Sequence, residues 1–115
     1  MAPGNYQDFE RTRAIHIQPQ ATIDIATGAV SGQTCVYLSS TAATADDHYR
    51  DQFDTRESVY VLRIPSEYVL RHQLVDTDRP CVWEYRRSML IPHCGVERFD
   101  LDRDQNSLTT RTIAI

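Results

Sequence analysis

The chain of 115 residues has the usual length of a single domain and can bury a core without disulfides or metals. Its formal net charge of -4 argues against a protein that binds duplex nucleic acid by neutralising phosphates. No apolar run approaches the roughly 20 residues that span a bilayer, and the polar start does not resemble a signal peptide. We therefore expect one domain over 1–115 that is cytoplasmic or is delivered into a target cell, with no membrane partner.

The basic residues are unusual in kind, because all 12 are arginines and lysine is absent. A GC-rich genome explains this simply. Selection against lysine is the other explanation, either to avoid ubiquitin attachment inside a host cell or to avoid self-modification. Low lysine is also common in toxin subunits that enter eukaryotic cells.

The three cysteines, Cys35, Cys81 and Cys94, are odd in number and none has a short metal-ligand spacing. We expect reduced, mostly buried thiols, although one disulfide with one free thiol is compatible with secretion. His93 and Cys94 are adjacent, but no second pair stands at a recognisable spacing. The sequence therefore predicts no metal site.

The first third of the chain predicts short elements. A proline and a glycine near the start indicate a loose arm over residues 1–10. Alternation over Thr12–Gln18 favours a short strand. Pro19 and Gly28 then stand where a helix begins and ends, so a short apolar helix is predicted between them.

The middle of the chain predicts a strand, a helix and a second strand. Cys35–Ser39 alternates, and the hydroxyls of Ser39, Ser40 and Thr41 can cap the helix that follows. Ser58–Ile64 is continuous and apolar, which is typical of a central strand covered on both faces. The helix is expected to bury one set of residues, Ala42, Ala45, Tyr49 and Phe53, and to expose another, Asp46, Asp47, Arg50 and Asp51.

The last part predicts a short helix over 66–74, strands over Cys81–Arg86 and Gly95–Leu101, and a tail or edge strand over 102–115. Mixed order with short elements favours an α+β fold, with a small split or mixed β-sheet core and short flanking helices. No glycine-rich turn joins a strand to a helix, so neither a Rossmann nor a P-loop nucleotide site is supported.

Three features stand on or beside predicted strands: His16, the run Val36–Thr41 and Glu84. In their order and spacing the chain resembles the ADP-ribosyltransferase superfamily over roughly residues 12–101. That family has an arginine or histidine on a first strand, an aromatic or Ser-Thr-Ser-like run on a second, and a glutamate on a later strand. The resemblance implies that fold, with NAD as substrate and no metal.

The resemblance implies a mono-ADP-ribosyltransferase in which Glu84 is the catalytic residue. Cleaving the nicotinamide bond of NAD passes through an oxocarbenium-like ribose, as glycoside cleavage does. A carboxylate beside that ribose accepts its 2'-hydroxyl and stabilises the developing positive charge.

The remaining family positions are assigned to NAD binding. His16 would hold the adenosine ribose or a phosphate, with Arg13 as the alternative. Tyr37 would stack on nicotinamide. Ser39 and Thr41 would keep the strand pair and the glutamate in register.

Each of these residues also has an ordinary structural explanation. His16 suits a surface strand, Tyr37 suits strand packing, and Ser39 to Thr41 suit a helix cap. A charge in mid-strand beside Trp83 is harder to explain, although Arg86 offers Glu84 an ion-pair partner on the same face.

The sequence departs from the family two positions before the glutamate, where arginine-modifying members carry Glu or Gln and this chain has Val82. The expected acceptor is therefore a macromolecule, protein or nucleic acid, that is not modified on arginine, and a cognate antitoxin or immunity protein is a further expected partner. The alternative is a non-catalytic module, either an immunity or antitoxin-like partner or a degenerate nucleotide-binding fold. Three tyrosines expected at the surface, Tyr6, Tyr49 and Tyr68, suit such an interface.

Overall fold

A computed structural model describes residues 1–17, 22–23, 30–31, 35–101 and 108–113. The helices and strands are α1 Pro3–Thr12, β1 Ala14–Ile15, β2 Thr22–Ile23, β3 Val30–Ser31, β4 Val36–Ser39, α2 Ala42–Phe53, β5 Val59–Arg63, β6 Val75–Asp76, β7 Val82–Tyr85, β8 Met89–Leu90, β9 Gly95–Leu101 and β10 Leu108–Ile113.

Two three-stranded antiparallel sheets organise the fold, with the strand orders β10-β9-β5 and β4-β7-β6. Two further strand pairs are β1-β8 and β2-β3, and all these pairings are antiparallel. The predicted mixed α+β class is confirmed.

The N-terminal segment is a helix, so the prediction of a loose arm over 1–10 is wrong. Pro3 stands in the first turn of α1, where its missing N–H has no helical partner to lose. Tyr6 and Phe9 point into the core, and the Tyr6 ring stacks on Tyr60 at 4.3 Å between centroids. The burial of two aromatic side chains holds this short helix on the domain.

The expected surface tyrosines are also corrected. Tyr6 is buried, and Tyr49 and Tyr68 are only partly exposed. All three pack against the domain because an aromatic ring gains more from core contact than from exposure. Tyr6 therefore contradicts the expected exposure, whereas part of Tyr49 and of Tyr68 remains accessible.

The apolar strand β5 lies at the side of its sheet rather than at its centre, contrary to the prediction. β9 is the central strand and pairs with both β5 and β10. On the other side of β5, the Tyr60 backbone N–H donates to the Met1 carbonyl at 2.8 Å, and the Met1 ammonium donates back to the Tyr60 carbonyl. This exchange of backbone hydrogen bonds and helix α1 cover β5. Their cover explains why a strand at the side of its sheet has the continuous apolar sequence that is typical of a buried strand.

The segment after α1 differs from both predictions made for it. The strand expected over Thr12–Gln18 is reduced to β1, and Gln18 lies outside the described residues. Within the predicted Pro19–Gly28 helix, Thr22–Ile23 forms β2 and pairs with β3. Threonine and isoleucine are β-branched and favour strands, which overrides the helix-end signals at this point. The other positions of that predicted helix lie outside the described residues.

The second half of the chain follows the sequence more closely. The helix expected over 66–74 is two 3-10 turns, Ser66–Tyr68 and Arg71–Gln73, separated by the extended residues Val69 and Leu70. β7 and β9 form as predicted, and β10 is the predicted edge strand. Positions 102–107 and 114–115 of the predicted tail lie outside the described residues.

The main core lies where α1, β7, β8 and β9 meet. Its buried members are Tyr6, Phe9, Tyr85, Met89, Ile91 and Val96. Helix α2 packs against β5, β4 and β7, so it bridges the two larger sheets. Among the described residues, no helix is both long enough and apolar enough to cross a membrane.

None of the three cysteines, all of which lie in the described part of the chain, forms a disulfide. Cys35 is buried and Cys94 is partly buried, whereas Cys81 is exposed, so burial of most thiols holds only in part. Cys81 stands just before β7 with a positive φ of 59°. In the described part of the chain, no three His, Cys, Asp or Glu side chains are grouped as metal ligands would be.

Helix α2 buries a charge that the sequence placed outside. Asp46 is completely buried, whereas Phe53, expected inside, is 59% exposed. Arg50 Nε donates to Asp46 Oδ1 at 3.0 Å, one turn along the helix. The same guanidinium donates to three backbone carbonyls, those of Thr55 at 3.3 Å, Glu57 at 2.8 Å and Phe99 at 2.8 Å. The pair thus attaches α2 to the chain entering β5 and to β9.

The Asp46 carboxyl is not fully satisfied. Among the described side chains, its Oδ2 is buried without a hydrogen-bond partner. Burial raises the pKa of Asp46 more than the nearby Arg50 guanidinium lowers it. The ion pair therefore holds the helix in place while keeping a desolvated charge inside the domain.

We predict that Asp46→Ala lowers the free energy of unfolding by about 3–5 kcal/mol, because it leaves the Arg50 guanidinium buried without its carboxylate. Urea denaturation followed by circular dichroism measures the change. Asp47→Ala is the matched control, since Asp47 is exposed on the same helix and should cost less than about 1 kcal/mol. Equal midpoints for the two variants would show that the buried pair does not hold the helix.

A second polar contact joins β5 to β9. The Ser58 hydroxyl donates to Asp100 Oδ1, and Arg98 Nε donates to Asp100 Oδ2 at 3.0 Å. The Ser58 hydrogen bond is the main cause that lowers the pKa of Asp100 below its ordinary value of 3.8. A carboxyl with a lowered pKa in the fold stabilises the fold when it is ionised, and that stabilisation is lost as the pH falls through the lowered pKa.

Ser58→Ala should therefore lower the free energy of unfolding by about 1–2 kcal/mol at neutral pH. The difference from the wild type should shrink as the pH falls through the pKa of Asp100. Denaturation at a series of pH values measures it, with the exposed Ser66→Ala as control. A difference that does not depend on pH would contradict this account.

Candidate active site

Tyr37 and Glu84 lie directly opposite each other across the β4–β7 pair. Residues directly opposite on antiparallel strands share one face of the sheet and have neighbouring side chains. Ser39 and Val82 form the next pair on that face, since positions two apart on a strand point the same way. The structure thus brings together three of the predicted site residues, Tyr37, Ser39 and Glu84.

Glu84 stands on the central strand of its sheet, between Tyr37 on β4 and Val75 on β6. Its side chain is 23% exposed and pairs with Arg86, which is 69% exposed. The Arg86 donors lie 2.9 Å and 3.3 Å from the carboxylate, and both contact Oε2. The ordinary ion pair considered from the sequence is therefore present.

Cys35 joins this face, which the sequence did not indicate. Its side chain forms a hydrogen bond with the side chain of Tyr37, two residues along the chain. Burial, Cys35 and the Glu84 carboxylate raise the pKa of the Tyr37 phenol, in that order of effect, so the hydroxyl stays protonated. The spacing of two within one strand was the only signal that could have revealed the contact.

His48 on α2 is a further neighbour of the tyrosine ring. Its ring contacts Tyr37 edge-on, with centroids 4.6 Å apart and planes at 61°. Burial, followed by the charge of Arg79, lowers the pKa of His48, although three aspartates, Asp47, Asp51 and Asp78, act in the opposite direction. The imidazole is therefore neutral at physiological pH.

An open polar depression lies beside His48. It is lined by His48, Asp51, Gln52, Asp78 and Arg79. Arg79 donates to Asp51 at 3.1 Å and to Asp47 at 3.2 Å, which fixes the loop before β7 to helix α2. His48 thus belongs both to this depression and to the surroundings of the Tyr37 ring.

Ser39 and Thr41 have different environments. Among the described side chains, the Ser39 hydroxyl is one of three groups with a buried polar atom and no partner. The Thr41 hydroxyl caps α2 by accepting a hydrogen bond from the Thr44 backbone N–H at 3.2 Å. Thr41 is therefore explained by the helix, whereas Ser39 is not explained by its protein contacts.

His16 and Arg13 lie on a different strand pair, at the two ends of β1. His16 is exposed, and the next backbone N–H, that of Ile17, donates to the Ser88 hydroxyl at 3.0 Å. Arg13 ends α1 and places its guanidinium 5.8 Å from the centre of the Phe9 ring. One of its terminal nitrogens, Nη1, is buried without a partner among the described residues.

Comparisons with protein families, with curated proteins and with solved structures found no match for this chain.

We predict that Thr41→Ala lowers the free energy of unfolding by about 1 kcal/mol, because the Thr44 N–H loses its cap. Thermal or urea unfolding measures the loss. Thr41→Ser keeps the hydroxyl and should restore most of the stability. Equal stability of Thr41→Ala and the wild type would show that the hydroxyl does not cap the helix.

Proposed function

We propose that this protein is an NAD-dependent mono-ADP-ribosyltransferase that modifies an acceptor other than arginine. The observation that carries the proposal is the pairing of Glu84 with Tyr37, which puts a carboxylate next to an aromatic ring on one sheet face. That arrangement suits a substrate with a flat cationic base attached to a ribose. The family resemblance of the sequence supports the same function.

Glu84 would accept the 2'-hydroxyl of the nicotinamide ribose and stabilise positive charge on that sugar. The contacts of its carboxylate support this role, since both Arg86 donors bind the same oxygen, Oε2. An ion pair with an exposed arginine contributes little to stability, so it can rearrange around a ligand at small cost. Arg86 would then orient the carboxylate.

Tyr37 would stack on nicotinamide, and the unpartnered Ser39 hydroxyl would hold the strand pair or the ligand in place. His16 would bind the adenosine ribose or a phosphate, since its imidazole is exposed. Arg13 is less suited to that role because its guanidinium packs over Phe9. No metal is required, because the charge that develops in this reaction is positive and a carboxylate stabilises it.

The test is release of nicotinamide from labelled NAD, with and without cell lysate. Glu84→Gln should reduce it at least about 100-fold, as expected when a group that stabilises the transition state is removed. Its fold should remain intact, because the side chain forms a partly exposed ion pair. Glu67→Gln is the control, since Glu67 is exposed on a 3-10 turn remote in sequence from the β4–β7 pair.

Full activity in Glu84→Gln would assign catalysis to another residue. No turnover by the wild type, together with no thermal shift on adding NAD, would exclude the enzyme and leave the non-catalytic binding module. A thermal shift without turnover would indicate a degenerate transferase fold that binds the nucleotide.

A further inference from the structure

We propose that the depression beside His48 binds a primary amine as the acceptor, and that His48 takes the proton that makes this amine a nucleophile. The inference rests on the proposed function and names the acceptor chemistry of the same site. The amine belongs to a lysine side chain or to a small polyamine, which share the alkylammonium group.

The position of the depression supports an acceptor site. His48 lines it and also contacts the Tyr37 ring, whose other neighbour on the sheet is Glu84. Tyr37 is thus a common neighbour of His48 and of the carboxylate that would hold the ribose. An amine bound in the depression would reach that sugar from the α2 side.

The charge of the depression favours a cation. Asp51 and Asp78 line it together with a single arginine, Arg79, which already pairs with Asp51 and with Asp47 nearby. The three carboxylates and one guanidinium leave the site negative while the imidazole is neutral. A phosphate chain would be repelled here, whereas an alkylammonium group would be attracted. Asp47 and Asp51 are 74% and 75% exposed, so their carboxylates can reach an incoming ligand.

His48 has the properties required of a base. It is held between Tyr37, Arg79 and the surrounding aspartates, and burial with the Arg79 charge lowers its pKa, so the ring is neutral and able to accept a proton. Gln52, one turn along α2, adds a neutral hydrogen-bonding group to the same lining. The other group beside Tyr37, Cys35, lies in its own hydrogen bond with the phenol.

The reaction balances as follows. The ammonium group gives one proton to the His48 imidazole. The freed lone pair forms a bond to C1' of the ribose while the bond from C1' to the nicotinamide nitrogen breaks, and that bonding pair leaves with nicotinamide. The new nitrogen substituent releases its second proton to water, and His48 returns its proton to solvent.

The amino-acid composition agrees with this acceptor. The chain has 12 arginines and no lysine, so an enzyme that modifies lysine ε-amino groups would find none on its own domain. Arginine side chains keep their charge, because the guanidinium is not deprotonated in proteins and His48 could not activate them. The chain thus contains the basic residue that the proposed chemistry leaves unmodified, arginine, and lacks the one that it modifies, lysine.

The test uses the full chain with NAD and peptides that carry one lysine, one acetyl-lysine or one arginine, with spermidine as a further arm. Nicotinamide release and the mass of the product are both measured. We expect an ADP-ribose adduct on the lysine peptide or on spermidine, and none on the other two peptides. Modification of spermidine alone would identify a small-molecule acceptor, and modification of the peptide a protein.

Three variants test the residues. His48→Gln should reduce adduct formation about 100-fold, and by far more than it reduces nicotinamide release to water without an acceptor. Asp78→Asn should raise the KM for the amine and leave kcat nearly unchanged. His72→Gln, an exposed histidine on a 3-10 turn, is the control and should behave as the wild type. Thermal melting checks that each variant is folded.

Glu84-dependent nicotinamide release without any amine adduct would overturn this inference and leave the proposed function standing. Unchanged adduct formation in a folded His48→Gln would also overturn it. If the wild type releases no nicotinamide under any condition, the proposed function fails and this inference fails with it.

Discussion

The fold depends on one buried charge pair, Asp46 with Arg50, at the junction of a helix and two sheets. Helix α2 has few large apolar side chains, and Phe53 at its end is exposed. The guanidinium replaces much of the missing apolar contact by binding the carbonyls of Thr55, Glu57 and Phe99. Because His48 belongs to the same helix, the pair also determines where the imidazole stands above Tyr37.

This dependence on a polar junction connects stability to the candidate site. A buried carboxylate with an unpartnered oxygen is costly, and a well-packed apolar pair can serve the same structural purpose. What the ion pair adds is a fixed rotation of the helix, because a guanidinium with several acceptors tolerates only one geometry. That rotation presents His48 and Asp51 to the depression and Asp46 to the interior.

Much of the fold could be predicted from the sequence where pattern alone decides the structure. Alternation in Val36–Ser39 and Val82–Tyr85, and the hydroxyl cap at Thr41, sufficed for β4, β7 and α2. The predicted proximity of Tyr37 and Glu84 agrees with their register, while their chemistry remains a prediction. The burial of Asp46 could not be predicted, because its guanidinium partner is held by carbonyls that only the tertiary structure assembles. For the same reason, the contact of His48 with Tyr37 could not be predicted, and for Cys35 only the spacing of two within the strand pointed to it. Helix α1 was missed because Pro3, taken as a sign of irregular structure, stands in the first turn, where proline is tolerated.

The pairing of β4 with β7 has a consequence for how the domain folds. β9 and β10 pair residues that are close in the chain, whereas Tyr37 and Glu84 are far apart, with α2 and β5 between them in sequence. Closing a long loop costs more chain entropy than closing a short one, so contacts of this kind tend to form late. The face that carries the candidate chemistry is then among the last parts to assemble, and mild denaturant should open it while the β9–β10 pair persists. Amide exchange in such a domain would be faster in the β4–β7 pair, which carries the candidate site, than in β9, the central strand of the other three-stranded sheet.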